Sequence, residues 1–195
     1  IKWRGNWIWS QKEQGPEFHN VWFEKEFVLD SSPLFGAVAF MGDDQCYIYV
    51  NGHFAGSTGQ FRVAGRSSIS KYLKKGKNKI TARVFNETQN AGLVVNCYVR
   101  TQEKELYIDT DKTWLCDPVS NQHKQIPQKI DRPVFDLGNA NTTKPWAGKT
   151  DTRYAGPCGV LDILELHPGW MTVKVLDKPA ETIELIRFKL TTRDG

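Results

Sequence analysis

Segments in which apolar residues recur at every second position follow one another along the first half of the chain. Residues 21–28 alternate between apolar and polar positions, whereas 36–41, GAVAFM, are a short continuous apolar run. A period of two predicts a half-buried strand, and a bounded apolar run of this length is typical of a strand buried on both faces. Further strand-like segments, separated by Gly, Asn or Pro, lie at residues 46–57, 79–85 and 92–99.

These segments predict an all-β fold. Strands of roughly five to eight residues that recur about every dozen residues are typical of an antiparallel β-sandwich or jelly roll. Residues 69–73, ISKYL, are the only short stretch compatible with a helical turn, and no amphipathic helix of ordinary length is predicted.

The stretch DDQCYIYVNGHFAGS, residues 43–57, predicts a β-hairpin. Asn51-Gly52 favours a two-residue type I′ turn, because both residues accept a positive φ angle. The pair Asp43-Asp44 directly before the strand is harder to explain, since one turn-forming residue would be enough. Two adjacent acids therefore precede the hairpin, and turn formation alone would explain only one of them.

The pattern changes after residue 105. Short strands are predicted at 106–108 and 113–115, but residues 117–158 are poor in apolar side chains and rich in Asn, Gln, Pro, Lys and Thr. A loop of that length in a compact domain is either functional or covers another surface. We therefore expect three parts: a β-sandwich core over 1–116, a polar region over 117–170 that packs on or completes the sandwich, and 171–195, whose two strand patterns either return to the sandwich or begin a following domain.

Length and composition fit a globular domain with no nucleic-acid or membrane role. The chain has 195 residues with 39% hydrophobic content, and its net charge of +4 comes from 26 basic and 22 acidic residues spread along it. The one basic cluster, KYLKKGKNK at 71–79, is interpreted as a solvated hairpin turn around Gly76. No apolar run reaches the roughly 18 residues of a membrane span. The start IKWRGNWIW has neither an initiating Met nor a signal-like apolar stretch, so we expect a mature chain or a part of a longer one.

The four cysteines, at positions 46, 97, 116 and 158, do not predict a zinc site. They form no CxxC pair and no metal-ligand spacing with the four histidines. Cys46 and Cys97 lie inside apolar strands and are expected to be small buried thiols. A disulfide between some pair is the alternative.

Five motifs occur in an order that resembles a known pattern: WIW (7–9), WFEKEF (22–27), YIYVNGHFAGS (47–57), ISKYLKKGKNKITARVFN (69–86) and DTDKTW (109–114). Over roughly residues 3–115 the chain resembles the galactose-binding-like β-sandwich found beside the catalytic domains of glycoside hydrolases. The resemblance is strongest to the N-terminal module of bacterial α-L-rhamnosidases and to the sugar-binding domain of family two β-glycosidases.

The resemblance implies a non-catalytic carbohydrate-binding or accessory module, since the catalytic acids of those families belong to a separate barrel. Its partners would be a glycan or oligosaccharide and the catalytic domain of the parent enzyme, in a secreted or periplasmic setting. The residues agree, because glycoside hydrolysis needs two carboxylates about 5 to 9.5 Å apart across a sugar, and Asp43 and Asp44 are adjacent on one turn. The alternative is a protein-protein interaction or spacer domain without sugar affinity.

The loops at one end of such a sandwich are the expected place for a ligand site. The richest polar loop is residues 86–90, and we favour Asp44 over Asp43 as its acidic partner because Asp44 adjoins the strand and is held more rigidly. The predicted ligand-binding residues are Asp44, Asn86, Glu87, Asn90 and Trp146.

Each predicted residue also has an alternative role. One of the two acids would cap the turn while the other is solvated. In the functional role a carboxylate binds sugar hydroxyls or helps to hold calcium, and no other cofactor is expected. Trp146 lies in the polar stretch KPWAGKTD, where no core pattern explains it, whereas Trp7 and Trp9, on one alternating face, and Trp22 are expected to pack in the interior.

Overall fold

The computed structural model describes residues 3–12, 19–59, 63–86, 91–119, 125–142, 161–167, 170–175 and 186–188. The chain divides into two compact units, Ile1–Thr152 and Arg153–Gly195. Among the described residues, no helix is both long enough and apolar enough to cross a membrane.

The described part of the first unit contains twelve strands and one 3₁₀ turn. The turn, Ser70–Tyr72, lies within the segment predicted to form a helical turn. The strands are β1 (Asn6–Trp9), β2 (His19–Leu29), β3 (Pro33–Gly42), β4 (Gln45–Val50), β5 (His53–Thr58), β6 (Gly65–Ser68), β7 (Gly76–Asn86), β8 (Leu93–Thr101), β9 (Glu105–Tyr107), β10 (Leu115–Val119), β11 (Arg132–Pro133) and β12 (Phe135–Asn139).

These strands form two six-stranded sheets. Sheet one has the order β12-β1-β8-β3-β6, with β9 also paired to β8, and sheet two has the order β11-β10-β2-β7-β4-β5. The pairings within both sheets are antiparallel. The predicted all-β antiparallel sandwich is therefore confirmed.

The main core lies between the two sheets and takes alternate side chains from each. Trp9 of sheet one contacts Phe23 of sheet two with ring centroids 5.7 Å apart. A smaller cluster, which includes Trp7, Met41 and Val94, lies on the opposite face of sheet one. Both faces of sheet one are thus covered, which explains its nearly continuous apolar runs.

One prediction about the aromatic residues is wrong in its geometry. Trp7 and Trp9 are both fully buried, as expected, but they do not share one face. The register of β1 against β12 shifts between Trp7 and Ile8, and Trp7 packs in the smaller cluster while Ile8 and Trp9 pack in the main core. Such an irregularity redirects the side chains that follow it.

The hairpin between β4 and β5 has the predicted Asn-Gly turn. Asn51 and Gly52 have φ angles of 50° and 82°, and Val50 pairs with His53. The Asn51 amide nitrogen donates to the Tyr72 carbonyl at 2.7 Å and to Asn78 Oδ1 at 2.9 Å. Its oxygen accepts from the Lys79 N–H at 3.0 Å, so the hairpin tip is joined to the start of β7.

Asn78 organises the lysine-rich turn that precedes β7. Its side chain is 2% exposed, donates to the carbonyls of Lys74 and Gly76 and accepts from the Lys74 N–H. Gly76 has a φ of 88°, and a residue with a β-carbon would be strained in that backbone conformation. Asn51 of the YIYVNGHFAGS motif and Asn78 of the ISKYLKKGKNKITARVFN motif thus contact each other and hold both turns.

Part of the polar region after Cys116 contributes strands to both sheets. β10 pairs with β2 and with β11, and β12 pairs with β1. The strand predicted over 113–115 begins only at Leu115, because Thr113 lies in a turn where its N–H donates to Asp111 Oδ1 at 2.8 Å.

The described part of the second unit forms a three-stranded antiparallel sheet. β13 (Leu161–His167) pairs with β14 (Trp170–Val175), which pairs with β15 (Ile186–Phe188). The two strand patterns predicted after residue 171 correspond to β14 and β15. β13 was not predicted, because it lies in the segment assigned to the polar region.

Replacing Asn51 will separate backbone strain from hydrogen bonding at the hairpin tip. Asn51→Ala removes three hydrogen bonds and leaves a β-carbon at a positive φ, whereas Asn51→Gly removes the same bonds and relieves the strain. We expect urea unfolding to show that both variants lose about 2 kcal/mol or more, with the alanine variant about 1 kcal/mol less stable than the glycine variant. Equal stabilities would show that φ is not strained there.

Candidate functional site

Asp43 and Asp44 form the turn between β3 and β4, and Asp43 holds it. The Asp43 carboxylate oxygen Oδ1 accepts from the Asp44 N–H at 3.0 Å, and the Asp43 carbonyl accepts from the Gln45 N–H at 2.8 Å. Asp44 has a φ of 55°, a left-handed conformation that Asp tolerates better than most residues. The first acid therefore caps the turn, and the second acid accommodates its sharp bend.

The Asp43 side chain is buried. Asp43 is 2% exposed, and its second oxygen, Oδ2, accepts no hydrogen bond from any residue in the described ranges. Burial is the main cause that raises the pKa of Asp43 to about 7; the neighbouring Asp44 carboxylate adds to the rise, and the hydrogen bond from the Asp44 N–H opposes it. Near neutral pH this carboxyl group can therefore either donate or accept a hydrogen bond.

Asp43 lies at the end of the sandwich where β2 begins, β7 ends and β4 begins. We call this the loop end, and define it by Asn20, Asp43, Asp44 and Asn86. His19 pairs with Asn86, and Phe85 pairs with Gln45, so Asn86 comes one position beyond the residue opposite β4. The Asp43 N–H donates to the Gly92 carbonyl at 3.2 Å, which fixes the turn against the start of β8.

The loop end contains several buried polar side chains. Asn20 is 2% exposed, and its side-chain oxygen accepts from Arg83 Nε at 2.9 Å. Asn86 is 1% exposed and follows Val84 on the face directed to the core. Buried amides and carboxyls at the end of an apolar core are costly unless they have partners.

The structure brings two of the predicted site residues to this end. Asp44 and Asn86 both lie there, with Asp44 half-buried and Asn86 buried. Glu87, Asn90 and Trp146 lie outside the described residues and remain predictions. The sequence favours Asp44 over Asp43 as the more rigidly held acid; in the structure Asp43 is the buried acid, and its N–H bonds to the Gly92 carbonyl.

The tryptophans of the first unit that the structure describes are structural. Trp3, Trp7, Trp9, Trp22 and Trp114 are each at most 2% exposed, so their rings are not available for stacking on a ligand. This agrees with the expectation for Trp7, Trp9 and Trp22.

The cysteine thiols are also structural where they are described. Cys46, Cys97 and Cys116 are free and buried, and burial raises the pKa of each, that of Cys116 to about 11. Within the described ranges, no group of three or more His, Cys, Asp or Glu side chains is arranged to hold a metal ion. The fourth cysteine, Cys158, lies outside them.

Solved structures with the same fold include enzymes and lectins. The chain is similar to Streptomyces avermitilis α-L-rhamnosidase complexed with L-rhamnose, with a TM-score of 0.62 and 16% identity over 74% of this chain and 15% of the other. It is similar to the GH78 family rhamnosidase of Bacillus sp. GL1, with a TM-score of 0.61 and 18% identity over 75% and 19% of the two chains. It is also similar to the Pleurotus ostreatus lectin in complex with GalNAc, with a TM-score of 0.61 and 19% identity over 85% and 50%.

These similarities show the β-sandwich fold that the sequence motifs indicated. The chain spans half or less of the length of each of these three proteins. No protein-family model matches the chain, and no curated protein does.

Asp43→Asn will change how the stability of the chain depends on pH. A pKa of about 7 in the folded state lies above the ordinary value of 3.8, so Asp43 favours folding fully below about pH 4 and progressively less as the pH rises through 7. Relative to the variant, wild-type protein should therefore lose about 1.4 kcal/mol of unfolding free energy per pH unit between the ordinary pKa of 3.8 and the folded-state pKa of about 7.

Urea unfolding at pH 4, 5, 6, 7 and 8 measures this difference. Asp30→Asn is the matched control, because Asp30 is an exposed carboxylate paired with Lys104 at the other end of β2. Parallel profiles for wild type and Asp43→Asn would contradict the raised pKa.

Proposed function

We propose that the β-sandwich is a carbohydrate-binding accessory module and that its sugar site is at the loop end. The observation that carries this proposal is the Asp43-Asp44 turn at the loop end, where the half-buried Asp44 carboxylate adjoins the buried Asp43 carboxyl, one oxygen of which is unbonded within the described ranges. A buried carboxyl oxygen without a partner is unfavourable, and a hydrogen bond gained when a ligand binds at the turn would remove the cost.

Sugar hydroxyls suit this group because each can donate and accept. The Asp43 carboxyl can accept from a hydroxyl when ionised and donate to one when protonated. Asp44 adds a half-buried carboxylate from the same turn, and Asn86 adds an amide from the end of β7. A site held by a tight turn and a strand end is preorganised, which lowers the ordering cost of binding.

The fold supports the same class of ligand. Two proteins that share the fold were solved with L-rhamnose and with GalNAc. The chain covers a minor part of the rhamnosidases it resembles, which fits a module that works beside a catalytic domain of a longer enzyme.

A calcium ion bound with the sugar is compatible with the two adjacent acids. Calcium takes six to eight oxygen ligands, and Asp43 and Asp44 would supply carboxylate oxygens while backbone carbonyls and ligand hydroxyls completed the set. A cation at this place would also favour the ionised form of Asp43 and lower its pKa. Binding experiments therefore need arms with calcium and with a chelator.

Substitution of the two acids tests the proposal. On a glycan array followed by titration calorimetry with the best sugar, Asp43→Asn and Asp44→Asn should each weaken binding about tenfold or more, because each removes a charged hydrogen bond. Asp30→Asn should bind like wild type. Thermal unfolding of each variant checks that the fold is intact.

Two outcomes would contradict the proposal. Unchanged affinity in both variants would show that the two acids stabilise the turn and do not bind the sugar. Absence of binding to any glycan, with calcium or with chelator, would favour a spacer or protein-interaction domain.

A further inference from the structure

A second candidate site lies on the side of the sandwich, away from the loop end. An open groove of about 500 Å³ runs between 25–28 of β2 and 106–111, which follow and include part of β9. We call it the lateral groove. Its volume is within the range of small-molecule sites, roughly 300 to 1,000 Å³.

The lateral groove exists because two strands end early. β10 pairs with β2 only over Asn20–Glu24, so the outer edge of β2 is open from Lys25 onward in the described part of the chain. In sheet one, β9 pairs with β8 over only three residues. The two sheets therefore present facing edges with a gap between them rather than a closed side.

The apolar surface of the groove is partly exposed. Ile108 is 6% exposed and belongs to the core, whereas Val28 and Tyr107 are 53% and 55% exposed. Leu106 and Phe27 pack against the core, and their exposure is intermediate. The groove thus offers a half-exposed aliphatic and aromatic surface, of the kind on which the apolar face of a sugar ring packs.

The polar side chains of the groove are fixed in place. Arg4 donates to both oxygens of the Asp109 carboxylate, at 2.9 and 3.1 Å, and its guanidinium lies 4.5 Å from the centre of the Tyr107 ring. On the facing side, Lys25 donates to the Thr113 hydroxyl, which donates to Asp111. Donors and acceptors are therefore held at defined positions before any ligand binds.

The formal charges of the groove lining cancel. The cationic groups are Arg4 and Lys25 and the anionic groups are Asp109 and Asp111. The lining therefore gives no overall electrostatic preference for a charged ligand. A neutral ligand with many hydroxyl groups can donate to the two carboxylates and accept from the two cations at once.

We propose that the lateral groove is a second saccharide-binding site, for a short neutral oligosaccharide. The sugar rings lie against Val28 and the part of the Tyr107 ring that Arg4 leaves exposed, and their hydroxyls bond to Asp109, Asp111 and Lys25. This site is separate from the loop end, and its test does not depend on the outcome there. A module with two such sites would hold one glycan chain at two points or two chains at once.

The experiment is a titration of the ¹⁵N-labelled chain with neutral di- to tetrasaccharides containing rhamnose, galactose or glucose. We expect saturable amide shifts at 25–28 and 106–111 with at least one of these sugars. Asp109→Ala and Tyr107→Ala should each weaken that binding about tenfold or more. Asp43→Asn should leave the shifts at the groove unchanged, which separates this site from the loop end.

Matched controls keep the test specific. Asp131→Ala removes a carboxylate that is 53% exposed and paired with Lys129, whereas Asp109→Ala removes one that is 18% exposed and paired with Arg4. Phe54→Ala removes an aromatic ring that is 53% exposed on β5, outside the groove. Both controls should bind like wild type. Asp109→Asn keeps the shape of the side chain and, if the carboxylate itself matters, should still weaken binding.

Three outcomes would overturn the proposal. The first is the absence of shifts at the groove with every saccharide at millimolar concentration. The second is equal weakening by the control variants. The third is a set of shifts at 25–28 that depends on protein concentration without sugar, which would make the open edge of β2 a protein-docking edge.

Discussion

The ladder between β2 and β7 fixes the positions of both candidate sites. The two strands pair over eleven residues, from His19 with Asn86 to Leu29 with Gly76, at the centre of sheet two. One end of this ladder forms the loop end, and the other end leaves β2 open beyond β10 to form one wall of the lateral groove. A shift of one residue in this register would move every core side chain of β2 to the outer face, so the two sites depend on the same alternation that builds the core.

Much of the fold could be predicted because its main strands have one constrained face. In β2 and β7 the residues directed to the core alternate with polar ones, and in β4 the same pattern ends in a turn whose two residues need positive φ angles. Asn51 and Asn78 extend this agreement, since two motifs far apart in sequence specify turns that hydrogen-bond to each other. Such strands can be predicted from the sequence because their local pattern and their tertiary contacts agree.

The prediction failed where the deciding contact was distant. The register shift after Trp7 depends on pairing with β12, more than a hundred residues away, and β12 is too short and polar to show a strand pattern. At the loop end the acidic pair was visible in the sequence, but the burial of Asp43 was not, since the backbone partner of Asp43 is Gly92, far along the chain. The lateral groove has no sequence signal at all, because it arises from the points at which β10 and β9 stop pairing.

The rates at which the buried thiols are alkylated report on the opening of the core. Only the thiolate reacts with alkylating reagents, and burial both hides Cys46, Cys97 and Cys116 and holds their thiolates at a very low population at neutral pH. Each of these thiols becomes reactive only when the surrounding strands separate. Cys97 belongs to sheet one, and Cys46 and Cys116 belong to sheet two. The rates at which the three are alkylated therefore report whether the two sheets open together or one before the other.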